Sequence, residues 1–218
     1  MRSNEIEKYK SSLRLTDEQK EVLIGILLGD ATLETQNNGR TYRIKIEHSL
    51  KQKAYAEHLY GLFNDWARSK PWKRKVTLSN GKTYTNIVFS TLSHSALRFY
   101  AHQFYRGRVK IVPRLIRKWL TPRAIAYWYM DDGSIKSKQS KGLIFNTHGY
   151  EKHEINRLIQ VLKEKFHLDA KLRSQKEGYQ IYISGKSYES FKDLVLPHML
   201  PEMNYKIPEP RRTHLPKL

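Results

Sequence analysis

AIAYWYMDDGSI, residues Ala124 to Ile135, is an apolar run that stops on two carboxylates and a glycine. A helix ends in unpaired carbonyls and a negative partial charge, so basic residues suit that end and carboxylates are repelled. If the run is helical, Asp131 and Asp132 require something positive beside them. The same pattern stands earlier: EVLIGILLGDATLE, Glu21 to Glu34, is apolar up to Asp30 and then turns polar. Asp30 and Asp132 are separated by roughly the length of one small domain.

Outward from these runs, the following segments correspond. TYRIKIEHSLKQKAYAEHLYGLF follows Asp30 and reads as a strand, then a helix; KGLIFNTHGYEKHEINRLIQVL follows Asp132 in the same order. Each half then has a hairpin: KRKVTLSNGKTYTNIVFS turns at Asn80-Gly81, and AKLRSQKEGYQIYIS at Lys176-Glu177-Gly178. Each hairpin leads into a helix, SHSALRFYAHQF or KSYESFKDLVLPHML. The half-repeat is therefore helix, strand, strand pair, helix, with space for one more short strand beside the motif. Thr16 and Thr121 are placed to cap the motif helices, and Pro122 suits a first helical position. The fold class is α/β of the α+β kind. Two pseudo-two-fold-related repeats are expected, residues 1–113 and 114–218, each with an antiparallel sheet. No Gly/Ser-rich linker divides them, so one compact body is expected.

The 218 residues carry 40 Lys and Arg against 21 Asp and Glu, a net charge of +19. The excess is not a tail. The first 113 residues hold 20 basic and 10 acidic residues, and the remainder 20 and 11. With 11% aromatic residues the basic surface belongs to a folded body, and its partner is a polyanion such as nucleic acid. No cysteine is present, which excludes disulfides, cysteine zinc sites and a thiol nucleophile. MRSNEIEKYKSS has no apolar core of a secretory signal and is too acidic for a transit peptide. The longest apolar runs, Val22–Gly29 and Ala124–Met130, are too short to span a bilayer. A soluble, intracellular protein without a membrane partner is expected.

Several strands carry basic faces. Arg43, Lys45 and His48 read as the exposed face of one strand; Lys73 and Lys75 alternate along a second, and Lys171 and Arg173 along a third. A charged strand face is often merely solvated. Recurrence in both halves favours ribbons that enter the major groove of DNA.

The motif helices are apolar on nearly every side, so each must be buried, most simply against the other. Gly25 and Gly29 lie four apart on one face and admit a close neighbour. Packed in parallel, the helices would bring Asp30 and Asp132 to the same end. Hard cations such as Mg²⁺ and Ca²⁺ take carboxylate and carbonyl oxygens, so a divalent metal is the simplest positive partner.

LIGILLGDA (Leu23–Ala31) and IAYWYMDDG (Ile125–Gly133) each resemble the nine-residue motif of the LAGLIDADG homing endonucleases, with Asp30 and Asp132 in its eighth place. The likeness spans nearly the whole chain. KIVPRLIRKWLTPRAIAYWYMDDGS (Lys110–Ser134) and MNYKIP (Met203–Pro208) are similar to the single-chain, two-motif group. The resemblance implies motif helices at a central interface and a saddle of antiparallel sheets over DNA. It implies a monomer that cuts both strands of a long, asymmetric target by metal-dependent phosphodiester hydrolysis, from a gene carried in an intron. It places Mg²⁺ at Asp30 and Asp132, with Mn²⁺ or Ca²⁺ able to occupy the same sites and with the carbonyls of Gly29 and Asp131 as further ligands. Lys110 and Lys206 match the lysines that lie near the metals, where they stabilise phosphoryl charge or simply contact phosphate. Asp131, where the first motif has Gly29, is a possible supporting ligand.

His48 and His148 read as corresponding residues of the two halves, either touching substrate or closing strands. Arg40, Arg43, Lys45, His48, Lys73, Lys75, Lys82, Lys136, Lys138, His148, Lys171 and Arg173 are the DNA-binding candidates. The second reading is an RNA maturase that assists splicing of its own intron RNA. It needs the basic surface but not the acidic residues. A transcriptional regulator is the third, and the chain has no room for the helix-turn-helix domain it would carry. The host compartment would be a prokaryotic cytoplasm or an organelle.

Overall fold

The computed structural model describes residues 3–137 and 140–207. Helix α1 (Ser3–Ser12) precedes the first motif helix, α2 (Asp17–Leu28). Thr16 caps α2 reciprocally: its side chain accepts from the Gln19 backbone N–H, and the Gln19 side chain accepts from the Thr16 N–H. Strands β1 (Thr32–Glu34) and β2 (Arg43–Ser49), helix α3 (Lys53–Leu62), strands β3 (Trp72–Thr77) and β4 (Thr83–Ser90) and helix α4 (Arg98–Phe104) follow. A two-residue ladder, β5 (Tyr105–Arg106) with β6 (Val109–Lys110), and the short α5 (Ile116–Trp119) lead to the second motif helix, α6 (Pro122–Asp132). Thr121 caps α6 through the Ala124 N–H, with Pro122 in its first turn. The order then repeats: β7 (Gly133–Ser137), β8 (Ser140–Asn146), α7 (Lys152–Phe166), β9 (Ala170–Gln175), β10 (Gly178–Ile183) and α8 (Tyr188–Val195), closed by a 3₁₀ segment at Pro201–Lys206.

The two four-stranded sheets have the same topology, β1-β2-β4-β3 and β7-β8-β10-β9, with every pair antiparallel. The Asn80-Gly81 hairpin closes through a bond from Leu78 N–H to Lys82 O, with Gly81 at φ +79°, a conformation that glycine adopts without steric penalty.

Helices α2 and α6 pack face to face in the core, with Val22 to Leu28 and Ala124 to Met130 buried. Gly25 lies against Ala124 and Tyr127, and Gly29 against Asp131, so the two helices run in the same direction. A Cβ on Gly25 would stand 2.5 Å from the backbone oxygen of Ala124. At the two places where α2 has glycine, α6 has Tyr127 and Asp131, and these side chains fill the hollows the glycines leave. The motifs thus differ because their interface is complementary, not because one is degenerate. Trp128 stacks on Phe145 of β8, with ring centroids 4.1 Å apart, and ties α6 to its sheet. The segment joining the halves is also anchored. The Val112 N–H donates to the buried Glu154 carboxylate on α7, and Arg157 donates to the Val112 carbonyl. No helix among the described residues is long and apolar enough to cross a membrane.

Candidate active site at the paired helix ends

The positive charge that the helix ends require comes from two lysines. Lys110 Nζ donates to the carbonyls of Gly29 (2.7 Å) and Ala31 (2.9 Å) at the end of α2. Lys206 Nζ donates to the carbonyls of Met130 (2.5 Å) and Asp131 (2.9 Å) at the end of α6. An ammonium on the last carbonyls offsets the negative end of the helix dipole. Each lysine is itself held: Lys110 pairs with Tyr105 in the short ladder, and the Tyr129 hydroxyl donates to the carbonyl of Lys206. Burial lowers the pKa of both lysines, and Asp131, Asp132 and Asp30 oppose that shift.

The three aspartates stand differently. Asp30 is half-exposed, with 48% of its side chain accessible. The Asp131 side chain is fully buried; its Oδ2 accepts from the Asp30 N–H at 3.0 Å, and its Oδ1 has no hydrogen-bond partner. Burial, and then the charge of Asp30, raise its pKa well above the ordinary carboxylate range. Asp132 is pushed up to about 7, by burial first and Asp30 second, with Lys110 and Lys206 acting against the rise. Its carbonyl accepts from the Asn146 side chain at 2.9 Å. Three carboxyl groups, the helix-end carbonyls and two ammonium groups are therefore gathered at one place. Asp30, Asp132, Lys110, Lys206, Gly29 and Asp131 all belong to it.

His48 corrects the sequence reading. It was expected on an exposed face with Arg43 and Lys45. It lies instead on the buried face of β2 with Ile44 and Ile46, and is 4% exposed. Strict alternation explains this: Arg43, Lys45 and Glu47 share one face and Ile44, Ile46 and His48 the other. The imidazole sits between two aspartates, Nδ1 3.6 Å from Asp30 Oδ2 and Nε2 3.9 Å from Asp131 Oδ1, with Tyr55 packed on the ring. Both distances are too long for hydrogen bonds. His148 is not its counterpart. It is exposed in the turn after β8.

The remaining basic candidates divide by face. Arg43 and Lys45 point outward beside Glu34 and Glu47. In the register of β3 with β4, Trp72 pairs with Val88 and Lys73 with Ile87, while β2 sets Glu47 against Val88 and His48 against Ile87. Arg74 therefore shares the outer face with Arg43 and Lys45 and bonds Glu47 at 3.0 Å, whereas Lys73 and Lys75 project from the opposite face. Sequence reasoning passed over Arg74 because β3 is exposed on both sides and has no apolar parity to fix its faces. In the second sheet Lys171 and Arg173 share the outer face with Tyr182, and Lys136 Nζ lies 5.1 Å from the centre of that ring. Arg40 and Lys82 are exposed in loops. Lys138 lies outside the described residues.

The donor set fits a divalent metal. Asp30, His48 and Asp131 each offer an atom, all within 4.8 Å of one another; the buried His48 Nδ1 has no hydrogen-bond partner, and the Asp131 carboxyl meets only the Asp30 N–H and the buried Tyr55 hydroxyl. Unpaired buried polar atoms are costly, and a bound cation would satisfy them.

Two sheets of one topology, joined by parallel helices that end together on acidic residues, define a two-motif LAGLIDADG fold. The profile of the LAGLIDADG DNA endonuclease family matches residues 20–191, and the chain belongs to that family. It is 35% identical over 210 residues to "Probable intron-encoded endonuclease 1" of Wickerhamomyces canadensis, covering 93% of this chain and 89% of that protein. The solved structure of the homing endonuclease I-WcaI bound to its DNA recognition sequence matches with a TM-score of 0.89 and 31% identity, over 94% of this chain and 93% of that one. The cytochrome b mRNA maturase bI2 of Saccharomyces cerevisiae is 26% identical over 198 residues, which is 85% of this chain and 46% of the maturase.

Proposed function

We propose that this chain is an intron-encoded homing endonuclease that cuts both strands of a long, asymmetric DNA site as a monomer, using Mg²⁺ or a similar divalent ion. The observation that carries this reading is the meeting of Asp30 and Asp132 at paired helix ends, each end held by its own buried lysine. Residues 1–113 and 114–218 act as the two half-repeats, each facing one half of the target.

Asp30 and Asp132 supply anionic oxygens for the metal, and the carbonyls of Gly29 and Asp131 stand beside them as neutral oxygens. When bound, the ion polarises the scissile phosphate and eases deprotonation of water. Lys110 and Lys206 have two tasks. They hold the helix-end carbonyls in place, and their ammonium groups oppose the negative charge that builds on the phosphoryl oxygens. The DNA lies along the outer faces of the sheets, met by Arg43, Lys45 and Arg74 on one and by Lys136, Lys171 and Arg173 on the other. Arg40, Lys82 and His148 reach it from loops.

The test is cleavage of duplex carrying the uninterrupted insertion site, with and without Mg²⁺. Discrete Mg²⁺-dependent double-strand cuts, lowered by about 100-fold or more in Asp30→Asn and Asp132→Asn with DNA affinity retained, support the reading. Tight binding to that duplex without cutting overturns it. The second reading, a maturase, is favoured by the likeness to the bI2 protein. Its assay is splicing of the intron RNA with and without the chain.

A further inference from the structure

The geometry points to a mixed nitrogen and oxygen metal position at Asp30, His48 and Asp131, across the two repeats, that has no equivalent at Asp132. This deepens the nuclease reading and rests on it for the consequence in cleavage. The binding itself is measured without DNA.

The asymmetry follows from strand register. Thr32 and Ser134 each stand two residues after a motif aspartate, and they pair with Lys45 and Ile144 in their sheets. Three residues further along, His48 in β2 corresponds to Thr147 just beyond β8. Thr147 is 1% exposed, and its hydroxyl is already committed to the Tyr179 carbonyl at 2.9 Å. The residue that corresponds to Asp131 is Gly29, which has no side chain. The equivalent position at Asp132, which would be built with Thr147 and Gly29, therefore lacks both the imidazole and the additional carboxylate.

In the first half the ring is poised for an ion. Nδ1 turns to Asp30 and Nε2 to Asp131, so whichever nitrogen binds, the other meets a carboxylate. Ligand atoms about 2.1 Å from an ion stand about 3 to 3.5 Å apart, close to the 3.6 Å between His48 Nδ1 and Asp30 Oδ2, and one ligand atom from each of the three residues lies within 4.8 Å of the other two. Asp30 is half-exposed and free to close the remaining gap. Imidazole suits Co²⁺ and Zn²⁺ better than Mg²⁺, which prefers oxygen. This position should select the former ions.

The experiment is a Co²⁺ titration of the full chain, free of DNA, read by visible d–d absorption and by X-ray absorption at the cobalt edge. One Co²⁺ with an imidazole ligand is expected, displaced by Mg²⁺ only at more than a hundredfold excess. His48→Gln and His48→Ala should each weaken Co²⁺ binding at least tenfold, with far-UV circular dichroism unchanged. Cobalt bound to oxygen alone in the wild-type chain overturns the inference, and that result needs no variant to fold. So does equal affinity in the folded variants. Strand-resolved nicking in Co²⁺ adds the consequence: His48→Gln should slow one strand's cut at least tenfold more than the other. Mg²⁺-dependent cleavage without nitrogen-bound cobalt removes this inference and leaves the nuclease; nitrogen-bound cobalt in a chain that cuts no DNA does the reverse.

Discussion

Asp132 couples stability to pH. Its carboxyl ionises near 3.8 in an open chain but only at about 7 in the folded one, chiefly because it is buried. The folded state therefore holds a proton that the unfolded state releases. That advantage is full below about pH 4 and is lost as pH rises through about 7, a change on the order of 4 kcal/mol. Without divalent metal, the melting temperature should fall between pH 5 and pH 8, and Mg²⁺ at pH 8 should recover it. Calorimetry that finds a flat metal-free profile would contradict the account. Lys110 gives a second outcome at this scale. Lys110→Met should slow cleavage by about 100-fold while duplex affinity stays within about twofold of wild type, in single-turnover assays. A parallel loss of affinity would reduce Lys110 to a phosphate contact.

Between elements, the closest fit is that of α2 on α6. Gly25→Ala directs a methyl group at the backbone oxygen of Ala124, which has no side chain to swing away, and should destabilise by about 1–3 kcal/mol in urea unfolding. The sheet faces give another contrast. Arg74→Ala should weaken binding to the target and lower its salt slope by about 1, whereas Lys73→Ala, on the other face, should change it less. Much of this level was legible in the sequence. The threonine caps, the hairpin turns and the repeated element order follow from local chemistry or from the repeat, and the place of both lysines from the family resemblance. What escaped depended on contacts distant along the chain. The sequence sets a metal and both lysines near the helix ends, but that Lys110 and Lys206 bond the end carbonyls, from 81 and 76 residues away, depends on the fold. The facing of β3 is set by its register with β4. His48 is a different case. Its parity with Ile44 and Ile46 was visible, but a polar ring among basic residues was read as part of their surface.

For the whole molecule, contacts across the two repeats are as specific as those within them. The Tyr150 hydroxyl donates to the Leu28 carbonyl, and Arg123 pairs with Glu18 and Glu21 at the opposite end of the helix pair. With charge of one sign spread over both repeats, duplex affinity should fall steeply between 50 and 200 mM salt, by about a thousandfold if six or more phosphates are met. The glycine hollows of α2 carry a different consequence, one of mating. Two copies of residues 1–113 would set Gly25 and Gly29 against themselves and leave voids. Two copies of residues 114–218 would drive Tyr127 into Tyr127 and bury Asp131 beside its twin. Neither repeat is its own partner, and each is shaped for the other. Expressed as two separate polypeptides, the pieces should assemble only as a mixed pair, recovered one to one by native mass spectrometry. Like-with-like dimers should be absent. The sequence difference between the two motifs thus acts as a lock against a symmetric pair of either repeat.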